Sequence, residues 1–586
     1  MFDPAEAYAS YTKNVGFVCF DITDLLHFLT HSHTVTGIQR VQMEATRAVL
    51  GQRDIKAMCC FFSESGDWQI IDSQLFCDVF DDFSRGAIGW KDRLEAFLLN
   101  SVNAPIYDFS TGDSLILLGA TWNIRGLFES LRDLQFKGVD CVVYMHDLLP
   151  LSHPEYFEEQ HAIEFGYWFT NILQVASGLI CNSSETRQAI LDLSDYSGKI
   201  DVVELNVAPG SVSPPPDRLT GLAKPAPSDV IARYGLEPKN YALMVGTLEP
   251  RKNHVTAFNV WMALDKALGD RCPKLVVVGK TGWKCDGILA HLESLNRHGR
   301  IVWVDDANDH DLEVLYKDCL CGLYLSRAEG WGLPVSEALA AGKPVVCGQR
   351  SSAVRARQNL AITVDECSER DVINTLYDLF SNRFKLVNKA SIVSSSATFK
   401  TWDTFGDQIL TQSKSMCGLA HKGKSRAVTL GESYTFGHGA EYANLDINCF
   451  ADSLLWGNFW HKAENWGVWS SDAQAVLRFT LPDVLHSYDA YIRVVSPHAE
   501  TEISVLRDGQ EIARKPVQGP TLLKATLPPK PGAEFVSLTL QTDNTTDMSK
   551  DDSIGDNRML GLGLAEIRFV RSDDLHARLN ALEHFL

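Results

Sequence analysis

The sequence predicts an α/β chain of two parallel units, followed by an all-β sandwich. Three observations carry this. From residue 15 to 210, and again from 241 to 414, short apolar runs alternate with helix-period stretches, as in strands buried on both faces and covered by helices. Between them, 211–228 (SVSPPPDRLTGLAKPAPS) holds five prolines and reads as a semi-rigid linker. After residue 433 the pattern turns to apolar–polar alternation broken by turn signals, the grammar of half-buried antiparallel strands.

The chain has 586 residues, room for about three to four domains. It carries 54 Lys and Arg against 74 Asp and Glu, a net charge of −20. So acidic a composition argues against nucleic acid as a partner and against simple electrostatic docking on anionic lipid. No apolar run approaches the ~20 residues of a spanning helix. The start, MFDPAEAYASYTKN, lacks the charged region and apolar core of an export signal. Its 14 cysteines show no zinc-finger pairing and fit reduced thiols. The expectation is a cytoplasmic protein, associated at most peripherally with the inner face of a membrane.

In the first unit, 15–21 is a strand, and Thr36-Gly37 opens a helix with Ile38, Val41, Ala45, Ala48 and Val49 on one face. A glycine loop before a helix suits an anion or a close-approaching ligand; a plain βα turn fits it as well. Strands follow at 114–119 and 139–145. The second ends in His146-Asp147-Leu148-Leu149-Pro150. A His at the C-terminal end of a parallel strand faces the crevice where such sheets bind ligands, although a structural His also fits. Residues 177–182 form another strand, with a helix beginning at Ser183-Ser184.

The second unit opens with a strand at 241–245, then Gly246, Thr247 and the adjacent cations Arg251 and Lys252. Two cations beside a glycine turn bind a diphosphate by charge-assisted hydrogen bonds, or stay solvated on the surface. Strand 274–279 ends at Gly279, and 301–304 precedes an acidic loop. The stretch around which the chain is organised is 326–347, SRAEGWGLPVSEALAAGKPVVC. Glu329 is followed by Gly330-Trp331-Gly332-Leu333-Pro334 and, after a gap of seven residues, by Glu337. Strand, glycine loop and helix place free N–H groups and a positive dipole end where a phosphate can sit. The helix-forming run closes at Gly342. Residues 399–414 read as one more amphipathic helix.

The pattern E-G-W-G-L-P-V-S-E-A, with G-T-L-E-P-R-K-N and H-D-L-L-P, resembles the retaining glycosyltransferases of family four, bacterial mannosyl- and rhamnosyltransferases in particular. It covers roughly 15–414. The family more often has Phe where this chain has Trp331. The resemblance implies the GT-B fold, two facing Rossmann-like domains, with 1–210 on the acceptor side and 229–398 on the nucleotide-sugar side. Helix 399–414 would cross back to the first domain. Glu329, His146, Arg251 and Lys252 would be catalytic. Gly246, Thr247, Gly279, Gly330, Trp331, Gly332, Leu333 and Glu337 would join Arg251, Lys252 and Glu329 in holding the donor, with Gly37 and Asp147 on the acceptor side. Neither a metal nor a cofactor is implied, only a nucleotide-sugar donor, GDP-mannose being favoured. The acceptor would be a glycan or polyprenyl-diphosphate-linked glycan in surface polysaccharide synthesis. A sugar-nucleotide epimerase and a glycan-binding scaffold pseudoenzyme are the alternatives; the intact Glu329, Glu337, Arg251, Lys252 and His146 argue against the second.

A second linker is read at 415–433 and a sandwich at 434–572, with Asp508-Gly509 as a hairpin turn. Four tryptophans fall in 456–469. Exposed, they would stack on sugar rings; buried, they would fill the core. The end, 573–586, is a short amphipathic helix.

Overall fold

Seven strands form the first sheet in a computed structural model that describes residues 16–585 apart from 33–34, 36, 53–55, 86, 195–197, 208–225, 296–298, 350–359, 418–425, 437–453, 458, 462–463, 465, 498–500, 534 and 551–557. Thr36, most of the proline-rich stretch and part of 415–433 therefore lie outside the described residues. The strands are β1 (Val18–Asp21), β2 (Ala57–Phe62), β3 (Trp68–Ile71), β4 (Ser114–Leu117), β5 (Asp140–Met145), β6 (Gly178–Cys181) and β7 (Lys199–Val202). They lie in the order β3-β2-β1-β4-β5-β6-β7, with only the β2–β3 pair antiparallel. β5 is buried along its whole length, which is why it reads as a near-continuous apolar run.

The second sheet contains β8 (Tyr241–Val245), β9 (Lys274–Val278), β10 (Ile301–Val304), β11 (Cys321–Tyr324), β12 (Val345–Gly348) and β13 (Ile362–Val364). Its order is β10-β9-β8-β11-β12-β13, all parallel. Both sheets reverse their winding beside their first strand, between β1 and β4 and between β8 and β11. Such switch points leave a crevice at the C-terminal strand ends.

The helices that bear on the site are α1 (Gly37–Leu50), α2 (Leu127–Lys137), α3 (Glu159–Val175), α4 (Ser184–Leu193), α5 (His254–Leu268), α6 (Asp309–Asp318), α7 (Leu333–Ala340) and α8 (Trp402–Met416). Thr401 caps α8, its hydroxyl accepting the Thr404 N–H at 3.1 Å. α8 follows the second domain but packs on the first. Phe405 meets Tyr144 of β5 edge-on at 5.8 Å, and Met416 occupies the space that a side chain at Gly178 would need. One apolar cluster runs from Ile116 and Tyr144 through Phe405 to Val276 and Trp331, so the domains share part of a core. Two facing parallel α/β domains, with a last helix returning to the first, make up the expected GT-B arrangement, and a separate antiparallel region follows.

That region is a sandwich. One sheet orders Arg426–Ala427, Gln474–Thr480, Val536–Thr542, Thr501–Arg507 and Gln510–Val517. The other orders Ser433–Thr435, Gly563–Arg571, Tyr488–Val495 and Thr521–Leu527. Arg426–Ala427 falls inside the stretch read as a linker. Alternation along Val536–Thr542 sends every second residue into the core, where Phe479 and Phe569 of opposite sheets meet at 4.5 Å. Asp508 and Gly509 both have positive φ, 52° and 80°, as a tight hairpin turn requires. The tryptophans divide. Trp460 is buried, with its N–H donated to the Val476 carbonyl at 2.9 Å. Trp456 lies 4.2 Å from the Arg478 guanidinium. Trp466 is exposed and meets the half-buried Trp469 edge-on at 4.9 Å. The final helix, α9 (Leu575–Phe585), buries Ala581 against the sandwich. Among the described residues, no helix is long and apolar enough to cross a membrane.

Candidate functional site

Strand β11 feeds a loop that turns at Gly332, whose φ of 98° favours glycine, into helix α7 with Pro334 in its first turn. Glu329 sits on that loop, its side chain only 9% exposed. The Arg251 guanidinium lies 2.9 Å from Glu329 Oε1, and the Lys252 ammonium donates to the same oxygen. Both cations come from a single 3-10 turn after β8, Pro250–Lys252. Asn253, left-handed at φ 63°, ends that turn and anchors it through Nδ2 to the Glu366 carbonyl at 2.8 Å. Arg251 is also paired with Glu249 at 2.7 Å. Lys252 lies over the Tyr324 ring, 5.6 Å from its centre, and its stem borders Gly246.

In the sequence these groups stand far apart, the cations read as a diphosphate site beside Gly246 and Glu329 as a donor-holding residue of a different loop. The structure brings them into one cluster, because a desolvated carboxylate and two desolvated cations are tolerable only when paired. Burial alone would raise the Glu329 carboxyl, but Arg251 and Lys252 outweigh it and hold it down at about 2. Burial and the neighbouring Arg251 push the Lys252 ammonium below its ordinary value, against the pull of Glu329.

The opposite wall is built on β4, β5 and β6. His146 follows β5, and its Nε2–H donates to the Leu118 carbonyl at 2.7 Å. That bond leaves Nδ1 as the acceptor nitrogen of a neutral ring. Burial lowers its pKa, against the pull of the Leu118 carbonyl and of Asp147. Asp147 Oδ1 accepts the Leu149 N–H at 3.0 Å, two residues on, in the turn that leads into the short helix Leu149–Ser152. Ser183 caps α4 through the Thr186 N–H at 3.1 Å and donates to the Gly330 carbonyl at 3.2 Å across the cleft. Gly330 lies so close to the first domain that a Cβ there would overlap the His146 carbonyl oxygen.

Other predicted residues fall around this core. Gly37 begins α1, where a Cβ would come 3.4 Å from the Leu333 side chain. Gly246 and Gly279 end neighbouring strands, and a side chain at Gly279 would overlap the Gly246 carbonyl. Thr247 follows on the same turn, its methyl against Gly282. The Trp331 ring does not line the cleft: it is 4% exposed, joins the shared core and donates its N–H to Ser336 Oγ at 3.1 Å. Glu337, also buried, accepts from Arg40 Nη1 at 2.9 Å and from the Tyr316 hydroxyl at 2.8 Å.

Arg40, Tyr316, Asn182 and Ser183 were missed. Arg40 carried one signal, its place three residues after the Gly37 loop in a helix whose buried face includes Gln39 and Gln42. Its partner lies 297 residues away. Further contacts close the cleft. Lys280 Nζ donates to Ser32 Oγ at 2.6 Å, and Trp283 stacks on His161 of α3 at 5.0 Å. The arrangement offers the N–H groups opening α7, a buried cation pair, a low-pKa carboxylate and a neutral imidazole around one crevice. That is a set suited to binding a diphosphate and meeting charge at a carbon attached to it.

Residues 230–391 match the family model described as Glycosyl transferases group 1. Over 223 residues the chain is 29% identical to the O-antigen chain mannosyltransferase B of Escherichia coli, covering 36% of this chain and 54% of that one. Over 353 residues it is 28% identical to the serotype-specific mannosyltransferase WbdA of Escherichia coli, covering 58% and 40% respectively. The match thus spans about half or less of each relative's length. Among solved structures, Anabaena Alr3699/HepE in complex with UDP and glucose is similar with a TM-score of 0.45 at 16% identity, covering 68% of this chain and 99% of that one. WaaG, a glycosyltransferase involved in lipopolysaccharide biosynthesis, is similar with a TM-score of 0.42 at 15% identity, covering 69% and 100%. The family match falls on the second α/β domain, the one that carries Arg251, Lys252, Glu329 and Glu337.

Proposed function

We propose that this protein is a retaining glycosyltransferase moving mannose from GDP-mannose to a glycan or lipid-linked glycan acceptor in surface polysaccharide synthesis, on the cytoplasmic side of the membrane. The observation that carries the reading is the Arg251–Lys252–Glu329 cluster beside the N-terminus of α7, faced by His146 across the cleft. The choice of mannose is supported by the names of the relatives. In this reading the diphosphate draws Arg251 and Lys252 and takes N–H bonds from Gly332 and Leu333. As the sugar–phosphate bond breaks, those cations and the helix dipole meet the charge growing on the leaving group. Glu329 holds donor-sugar hydroxyls and offsets positive charge at the anomeric carbon. Glu337 accepts from ribose hydroxyls, and His146 orients the sugar from the opposite wall. The cations and dipole serve in place of a metal ion, and configuration is retained.

The test is turnover of GDP-mannose, UDP-glucose and dTDP-rhamnose with glycan acceptors, with the anomer of the product assigned by NMR. Arg251→Ala and Lys252→Ala should each lower turnover by about tenfold or more, since each removes a contact that strengthens in the transition state. Near-normal turnover in both variants overturns the assignment. Turnover abolished by a chelator and restored by a divalent cation overturns the metal-free mechanism, and an inverted product overturns retention.

A further inference from the structure

The two helices that open on the cleft, α1 and α7, meet near their N-termini. Gly37, the first residue of α1, lies beside Leu333, the first of α7. One turn further along each helix, Arg40 Nη1 reaches Glu337 Oε1 at 2.9 Å, with the side chains 16% and 6% exposed. Both helix N-termini carry positive dipole ends, so drawing them together is unfavourable without a negative group between them. Glu337 is such a group, and Arg40 is its cross-domain partner. The other carboxylate oxygen, Oε2, accepts from the Tyr316 hydroxyl of α6 at 2.8 Å, within the second domain. With one oxygen held from each side, the carboxylate cannot turn. Each oxygen keeps a further lone pair, because a carboxylate accepts about four hydrogen bonds.

We infer that Arg40 is a positioning residue that couples closure of the cleft to recognition of the donor's ribose, by fixing Glu337 with its remaining lone pairs toward the vicinal hydroxyls. The inference rests on the reading of Glu337 as the ribose partner. Arg40 itself touches neither the diphosphate nor the sugar. Its effect runs through Glu337, so it shows only on ligands that carry ribose hydroxyls. Because the pair spans the domains, it forms with the closed arrangement, and the donor's interaction with a fixed Glu337 favours that arrangement.

The experiment compares binding of GDP and of 2′,3′-dideoxy-GDP to the full chain by calorimetry, for wild type, Arg40→Met and Arg40→Lys. Methionine keeps the apolar stem and removes the charge; lysine keeps the charge on a different head. GDP affinity should fall about tenfold in Arg40→Met, as for loss of one charged hydrogen bond, and Arg40→Lys should recover part of it. Dideoxy-GDP affinity should stay within about twofold across all three proteins. Unfolding curves for each variant report any loss of fold. Equal losses for the two nucleotides would show that Arg40 merely supports the structure and would overturn the inference. So would an unchanged GDP affinity, or a raised one, the mark of a side chain that plugs the site. A wild-type protein that binds no nucleoside diphosphate at all overturns instead the reading on which the inference rests.

Discussion

His254 is the first residue of α5 and is completely buried, two positions from Lys252. Burial first, and the Lys252 ammonium second, lower its pKa to about 4. In the unfolded chain an imidazole titrates near 6.5. As pH falls below 6.5 the unfolded chain takes up a proton that the folded protein refuses until about pH 4. Stability from this group is therefore full above 6.5 and declines as pH falls toward 4, by on the order of 3 kcal/mol. Urea unfolding at pH 7 and pH 5 should show a smaller loss in His254→Gln than in wild type. An equal loss in both proteins refutes the assignment. At this scale the sequence showed which residue types stand together in the R-K-N and E-G-W-G stretches, but not that Arg251 and Lys252 pair with Glu329 or Arg40 with Glu337. Direction was not legible. Trp331 looks like a cleft aromatic in the motif and turns into the core, since its face is decided by the angle of a loop rather than by a period.

Elements were the most legible level, because hydrophobic period and glycine position act locally. The strand–loop–helix of 321–340, the Ser183 cap and the Asp508-Gly509 turn all follow from neighbours within a few residues. The fit between loops of different domains does not. Gly330 illustrates this: its sequence context suggests a phosphate loop, whereas the position a Cβ would take faces the His146 carbonyl, the Asp147 Cβ and the Asn182 amide. A methyl at Gly330 would meet fixed backbone, so the β11–α7 loop and the His146 loop would have to part. In Gly330→Ala the Arg251–Lys252 turn keeps its place in the second domain, and GDP affinity should fall by no more than the about tenfold expected for loss of the Arg40–Glu337 pair. The catalytic walls would sit farther apart, and kcat should fall by about tenfold or more, as misplaced reacting groups do. Loss of GDP binding with kcat unchanged would mean that Gly330 serves the donor rather than the fit between domains.

For the whole molecule, three-part order was readable from the switch between period 3.6 and period 2, and the place of the sandwich was not. Periodicity tells which residues face a core, never which cores meet. The sandwich rests on α2 of the first domain: Phe459 meets Phe136 edge-on at 5.7 Å, and Arg132 Nη2 donates to the Trp460 carbonyl at 3.4 Å. Its apolar core is a cluster of its own, sharing no residue with the α/β clusters. Every residue proposed to touch the donor precedes it. A chain ending at Cys417 should therefore fold and bind GDP with nearly the full-length affinity. The cut belongs after Met416, which is fully buried in the space beside Gly178, so an end at Lys414 would open a cavity under α8. Removing the sandwich takes the Phe459 ring away from Phe136, which is already half exposed in the full chain, and Phe136→Ser in the shortened chain should improve its solubility without changing GDP affinity. Calorimetry with GDP on the full and shortened chains decides the matter. A shortened chain that is folded by circular dichroism yet binds no GDP would mean that the sandwich, through α2 and the strands above it, holds the first wall of the cleft in place.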